Sequence, residues 1–493
     1  MACILGIDLG TSSVKSMLLD EEGGVVQTAA CAYAVDIPKP GYAQQSPEVW
    51  WDAVKQTIQE LKADCPSMLQ SIRAVGFSGQ MHGLVLTGKG GEVLRPAIIW
   101  LDQRSEHMAE QMQEEIGMGR MGKIFHNRAF SGFAFPSLLW VKEKEPGVFD
   151  TINKILLPKD YIRFRMTGEL GTDASDASSS CILDTGKRDW AYDIIERYDI
   201  PKDIFPDVHE AEDTAGYITA QCACETGLPA GIPVVYGSGD QPAQSIGNGA
   251  VQEGLIISNI GTGGQISAYS AADIYDPELR IHTFCHALNR AYTIFGATLC
   301  SGMSLNWLKD KILEAGSFQE LSNAAAETEP GAGGLLYLPY LTGERTPYMD
   351  TGASGMFFGM RLMHDRRHFV RSVMEGVVFS LKDSLQIFEQ MGLRADRIIA
   401  SGGGASSPLW LQMQADILEK EICVSGVEEQ ACLGACILAG AGTGILESVE
   451  EGVKRFVSFR GDTYEPRRYL KELYREQYRK YQQLYQTTKE LMR

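Results

Sequence analysis

Apolar and polar residues alternate in blocks along the first 35 positions. Residues 2–7 are apolar, Asp8-Leu-Gly-Thr-Ser-Ser13 is polar and carries a glycine, and residues 14–19 are apolar again. Glu21-Glu-Gly-Gly24 then interrupts the pattern before residues 25–33. Short apolar stretches bounded by glycine and polar residues predict three successive β-strands joined by tight turns. The period changes at Ser46-Pro47-Glu48, which has the composition of a helix start: a serine cap, proline at the first helical position and an acid near the positive end. Val49, Trp50, Ala53, Val54, Ile58 and Leu61 follow at helical spacing. Strand-like runs return at 72–77 and 97–100, and helices are predicted over 105–116 and 136–144.

The opening pattern recurs at mid-chain. Residues 255–260 are apolar, Gly261-Thr-Gly-Gly264 is the turn, and 265–269 is strand-like. The Gly-Thr pairs at 10/11 and 261/262 lie 251 residues apart, about half the chain, which points to a duplicated α/β architecture. We place the boundary near 245–255, with domains at 1–247 and 248–493. In the second half helices are predicted over 301–313 and 366–391, with a strand at 397–400. After Pro466, Leu470, Tyr474, Tyr478, Tyr481 and Tyr485 share one helix face. That spacing predicts packing onto the body, back on the first domain, or onto a dimer partner, rather than stacking on bases.

A chain of 493 residues is too long for one hydrophobic core, so two large domains are expected. With 44% hydrophobic and 22% charged residues the composition is that of a soluble globular protein. The net charge of −18 opposes phosphate backbones and anionic lipid, so neither nucleic acid nor membrane is an expected partner. The chain opens without a basic segment and apolar core of a signal, and no run of about 18 apolar residues occurs. Eleven scattered cysteines then read as free thiols, and a cytoplasmic location is expected.

Several nucleotide and hydrolase signatures are absent: there is no GxxxxGK[ST], no HExxH and no GxSxG. Gly117-Met-Gly-Arg-Met-Gly122 fits GxGxxG but follows a helical pattern, so we read it as a helix cap and loop. Three glycine-rich turns remain, each after a strand: 8–13, 261–264 and Ser401-Gly-Gly-Gly-Ala-Ser-Ser407. Glycine admits a ligand close to the backbone, and hydroxyls with free N–H groups suit phosphate oxygens. Asp8 beside the first turn would repel a polyphosphate unless a divalent cation lies between, which implies Mg²⁺. Val234-Val-Tyr-Gly-Ser-Gly-Asp240-Gln241 ends an apolar run with an acid and an amide at a helix start. Asp240 there is either an N-cap or a general base for a hydroxyl nucleophile.

Taken together, Asp8-Leu-Gly-Thr-Ser-Ser13, Gly239-Asp-Gln241, Gly261-Thr-Gly263 and the segment 402–416 resemble the FGGY carbohydrate kinases, whose fold is the two-domain α/β fold of the actin/Hsp70-like (ribonuclease H-like) ATPases with an interdomain cleft. Ser78-Gly-Gln-Met-His-Gly83, the segment 94–104 and Thr172-Asp-Ala-Ser-Asp-Ala-Ser178 resemble the branch acting on xylulose. The resemblance implies phosphorylation of a ketopentose by ATP with Mg²⁺, D-xylulose first, and Asp240 as catalytic base. It further implies that Gln80, Met81, His82 and Gln241 hold the sugar with Asp240, and that Asp8 lies near the metal. Thr11 and Ser12, Gly261 and Thr262, Gly302 and Asn306, and Gly403 and Ser407 are the implied nucleotide contacts. The chain departs from the branch at Leu101, Ser137 and Pro242, where Asn, Lys and a small residue are usual. Another ketose, polyol or sugar acid is therefore the alternative substrate. A non-catalytic ATP-binding module is a third reading, against which the acid–amide pair 240–241 argues. A homodimer is left open.

Overall fold

The computed structural model describes residues 2–22 and 24–492. The first half is built on a sheet of β1 (Cys3–Leu9), β2 (Ser13–Asp20), β3 (Gly24–Ala32), β4 (Ile72–Gly79), β5 (Thr214–Tyr217) and β6 (Pro233–Val235), in the order β5-β6-β4-β1-β2-β3. The short strand β7 (Ser238–Gly239) also pairs with β4. The second half repeats the plan with β8 (Leu255–Ile260), β9 (Gly264–Ser270), β10 (His282–Cys285), β11 (Tyr292–Thr298), β12 (Arg397–Ser401), β13 (Glu421–Ser425) and β14 (Phe459–Tyr464), ordered β10-β11-β9-β8-β12-β13-β14. In each half a central strand, β1 or β8, is antiparallel to the next strand and parallel to a later one. The repeated strand–turn–strand pattern thus marks two copies of one sheet core.

Both faces of the first sheet are covered, so its central strands are apolar almost throughout. Cys3, Leu5, Ile7 and Leu9 of β1 face one core, which α1 (Pro47–Asp64) completes with Trp50, Trp51, Val54, Ile58 and Leu61. Ile4, Met17, Leu19 and Ala74 face the other. That second face is covered from the far half of the chain. Helix α6 (Gln430–Gly442) lies on it through Cys432, Leu433, Cys436, Ile437 and Ala439, and Cys436 Sγ donates to Ile4 O at 3.9 Å. It also crosses α3 (Asp240–Gly247). The crossing is close enough that a Cβ at Gly434 would lie 2.0 Å from Ala243 O. The second sheet packs on α4 (Arg366–Gln390) and on α5 (Pro408–Leu418).

The C-terminal helix α7 (Lys471–Thr488) buries Tyr474, Tyr478, Tyr481 and Tyr485 against α4, α5 and the 336–348 segment of the second half, rather than on the first. Two local expectations change. Of the segment 117–122, read as a helix cap and loop, Gly117 does cap the helix Glu106–Ile116, but 118–122 belong to a second helix, α2 (Met118–Phe125). The helix expected over 301–313 splits into Gly302–Trp307 and a wider π-helical stretch, Leu308–Leu313. No helix among the described residues is long and apolar enough to cross a membrane.

Candidate active site

Parallel pairing brings three strand ends side by side. Asp8 of β1 is in register with Ser78 of β4, and Ser78 with Ser238 of β7. The chain leaving these ends supplies Gly10–Ser12, Gln80–His82 and Asp240–Gln241 at one edge of the sheet, the usual ligand position in an α/β sheet. Residues separated by more than 200 positions therefore share one cleft wall.

Asp240 is the first residue of α3, and Gly239 takes the N-cap position. The N-cap reading of Asp240 is thereby corrected by one residue. Its carboxylate accepts from its own and the Gln241 backbone N–H, which would favour ionisation, yet burial and the nearby Asp8 charge push it up to about 7. Burial also raises Asp8, partly offset by Ser78 Oγ, which donates to Asp8 Oδ1 at 2.7 Å. Two acids that resist ionisation for lack of solvent are suited to proton uptake and to a cation. Among the described residues no group of three or more His, Cys, Asp or Glu is placed to hold a metal ion. A single carboxylate with a second acid near it is the donor set that suits Mg²⁺, which keeps most of its waters and shares the rest of its shell with phosphates.

The residues expected on the sugar side are held from several directions. His82, in the left-handed region at φ 75°, stacks on Phe133 with ring centroids 3.9 Å apart. Its Nδ1 donates to Ser179 O at 2.8 Å, and Ser179 Oγ accepts from its backbone N–H at 3.0 Å. Burial drives its pKa down to about 3, so the imidazole is neutral. Met81 packs with Phe284, Phe295 and Ala297 from the second half. Gln80 is buried, and its Nε2 donates to Gln45 Oε1 at 3.2 Å. Gln45 Nε2 in turn donates to Thr11 O at 2.8 Å, and Trp100 Nε1 to Thr11 Oγ1 at 2.9 Å. Gln80 thus braces the first glycine turn.

Six sequence-derived nucleotide residues, Gly261, Thr262, Gly302, Asn306, Gly403 and Ser407, line one cavity of about 350 Å³. Thr11 and Ser12 do not line it; they lie on the turn of the other half. Ser407 caps α5 by accepting from Trp410 N–H at 3.4 Å and lies 3.2 Å from Ser322 Oγ. Leu305, Phe318 and Trp410 supply apolar wall that the turn chemistry did not reveal. The departures from the branch also have places. Ser137 is buried in a helix with its hydroxyl 3.5 Å from that of Ser105, and Leu101 is 43% exposed. Pro242 sits in the first turn of α3, where no intrahelical N–H bond is lost.

Support beneath the cleft was missed. Ser175 Oγ accepts from Gly239 N–H at 3.3 Å, and Ser178 Oγ from Cys285 N–H at 3.0 Å. Asp173 caps the short helix between them and takes one of two 2.7 Å contacts of the buried Lys159 ammonium, the other being Asp160. The run 172–178 carried this signal as a motif without a mechanism.

A duplicated actin-like core with an acid–amide pair at the sheet edge and a glycine-lined cavity across the cleft is the framework of a carbohydrate kinase. Residues 3–247 match the model of the FGGY family of carbohydrate kinases, N-terminal domain, and 258–443 that of its C-terminal domain. The chain belongs to this family. It is 37% identical over 492 residues to a xylulose kinase of Lactococcus lactis, covering 100% of this chain and 98% of that one. A gluconokinase of Bacillus subtilis is 30% identical over 463 residues, covering 91% and 89%. The solved structure of a "xyloylose kinase" from Brucella ovis superposes with a TM-score of 0.93 at 35% identity, covering 99% of this chain and 100% of that one.

Proposed function

We propose that this carbohydrate kinase transfers the terminal phosphoryl group of ATP to a ketopentose, D-xylulose before others, giving D-xylulose 5-phosphate. The observation that carries the reading is the position of Asp240 among the strand ends that also present Asp8 and the Gln80–His82 segment. The likeness to xylulose kinases over the full chain supports the choice of sugar.

Asp240, held near the neutral–charged balance at about 7, takes the proton of the attacking C5 hydroxyl as the new O–P bond forms. His82, Met81 and Gln241 orient the sugar, and the Phe284–Phe295 wall shields it from water. The six cavity residues hold the nucleotide, while Thr11 and Ser12 face its phosphates from the other half. Asp8 would hold the Mg²⁺, which when bound neutralises phosphate charge. Little covalent chemistry is required of the protein, and alignment is the larger part of catalysis.

The test is a coupled ADP-release assay on the native chain and Asp240→Asn with D-xylulose. Turnover is expected to fall by about 10²–10⁴-fold, with nucleotide binding retained. Turnover within a few fold of native removes Asp240 as base. Greater kcat/KM on D-ribulose, glycerol or D-gluconate removes D-xylulose as the sugar.

A further inference from the structure

A single guanidinium from the second half reaches the sugar side of the cleft without a counter-ion. Among the described residues Arg345 forms no ion pair within 4 Å, and its side chain donates no hydrogen bond. Burial lowers its pKa, and its neighbour Glu344 offsets this in part through space without forming an ion pair. Glu344 Oε1 accepts from Leu299 N–H at 3.0 Å and Arg345 N–H at 2.7 Å, and Oε2 accepts from Ser380 Oγ at 3.2 Å. Burial pushes that carboxyl up to about 8, so it is largely protonated at neutral pH. A half-buried charge left in this way is unfavourable unless a ligand completes it.

The segment carrying it is held firmly. Thr346 N–H donates to Ala297 O at 3.0 Å, and Thr346 Oγ1 accepts from Ala297 N–H at 3.2 Å. From behind, Tyr340 and Tyr481 share a hydroxyl–hydroxyl bond of 2.7 Å, and Tyr348 stacks on Tyr485 with centroids 3.7 Å apart. The tyrosine face of α7 is therefore the support of the Arg345 loop.

Its surroundings place Arg345 beside the aromatic group that carries His82 and His282. Its guanidinium lies 5.9 Å from the Phe130 ring, and that ring is 5.4 Å from both Phe133, on which His82 stacks, and His282. Its positive charge helps to hold His82 and His282 neutral, and Arg128 adds to that effect at His282. Both imidazoles are fixed as the Nδ1–H tautomer. His82 donates to Ser179 O, and His282 donates at 3.0 Å to Asn127 Oδ1, whose amide is oriented by a 2.6 Å bond from Nδ2 to Thr283 O. Their Nε2 atoms are acceptors, and that of His282 has no partner. This end of the cleft thus combines donors on Arg345 with an imidazole acceptor. A hydroxyketone, with oxygen lone pairs and a hydroxyl proton, satisfies both.

We infer that Arg345 is a substrate-contacting, specificity-determining residue that donates hydrogen bonds to the non-reacting C1–C2 hydroxyketone end of the open-chain sugar. The inference rests on the proposed sugar site at His82.

The experiment compares the native full chain with Arg345→Gln and Arg345→Lys. The substrates are D-xylulose, D-arabitol, which has a C2 hydroxyl in place of the carbonyl, and D-xylonate, which has a carboxylate at C1 and a hydroxyl at C2. Arg345→Gln is expected to raise KM for D-xylulose on the order of tenfold to a hundredfold, with kcat changed by less than about threefold. Preference for D-xylulose over D-arabitol should collapse, and Arg345→Lys should recover part of it. An unchanged KM, an equal rise for ketose and pentitol, or native preference for D-xylonate that Arg345→Gln abolishes each overturns the assignment. If Arg345→Gln does not fold, Arg345→Lys and calorimetric binding of D-xylulose decide. Turnover retained in Asp240→Asn removes the base assignment alone, and a native chain that turns over no ketose removes the proposed substrate instead.

Discussion

Asp240 is a carboxylate whose environment matters more than its identity. Two backbone N–H groups favour its charged form, but burial and Asp8 outweigh them and bring it to about 7. A base must be deprotonated to act, so kcat/KM for the sugar is expected to rise with pH through about 7 and level off above it. A pH-rate profile at saturating nucleotide checks this; a profile flat from pH 5.5 to 8.5 would contradict it. Stability runs the other way. A carboxyl whose folded pKa is raised binds more protons in the folded state, so its stabilising contribution is full below its unfolded pKa and is lost as pH rises through the folded value. Asp240 and Asp383, both about 7, and Glu344, about 8, share this sign. Melting temperature is therefore expected to fall between pH 5 and pH 8, and the fall should be smaller in Asp240→Asn.

The elements that make the site are short turns on long-range scaffolds. The Gly10 and Gly261 turns were legible because glycine and hydroxyls between two apolar runs are a local signal, and their 251-residue spacing revealed the duplication. The π-helical widening at Leu308–Leu313 was not legible, since its residues differ little in helix propensity from those of an ordinary helix. Packing decides such a register. The crossing of α3 and α6 is a further product of packing, and it depends on a missing side chain. Gly434→Val would drive a Cβ to 2.0 Å from Ala243 O, so the helices must separate. We expect a loss of at least about 1–3 kcal/mol, read as a melting temperature lower by about 2–4 °C per kcal/mol. An unchanged melting temperature would show that the interface can shift without strain.

At the scale of the molecule, the proposed ligand sites lie where the halves face each other, so nucleotide is expected to stabilise the whole. MgATP at a hundred times its dissociation constant is expected to add about 2.7 kcal/mol, visible as a higher melting temperature. Gly403 is the position at which to remove that effect. A Cβ there meets no protein atom closer than 3.9 Å, so Gly403→Val should leave the ligand-free melting temperature in place while its side chain occupies the cavity. A nucleotide shift equal to native in that variant would place the nucleotide elsewhere. The sequence by itself determined most of the strands and the glycine turns, because each is written in neighbours a few positions apart. The recurrence of one such turn 251 residues on marked the duplication, while for the chemistry the sequence named candidates. Only the tertiary structure decided that α6 returns to cover the first sheet, that α7 braces the Arg345 loop of its own half, and that Asp240 sits near neutrality. Those depend on burial and on charges hundreds of residues away, whose fields act through space and leave no local pattern in the chain.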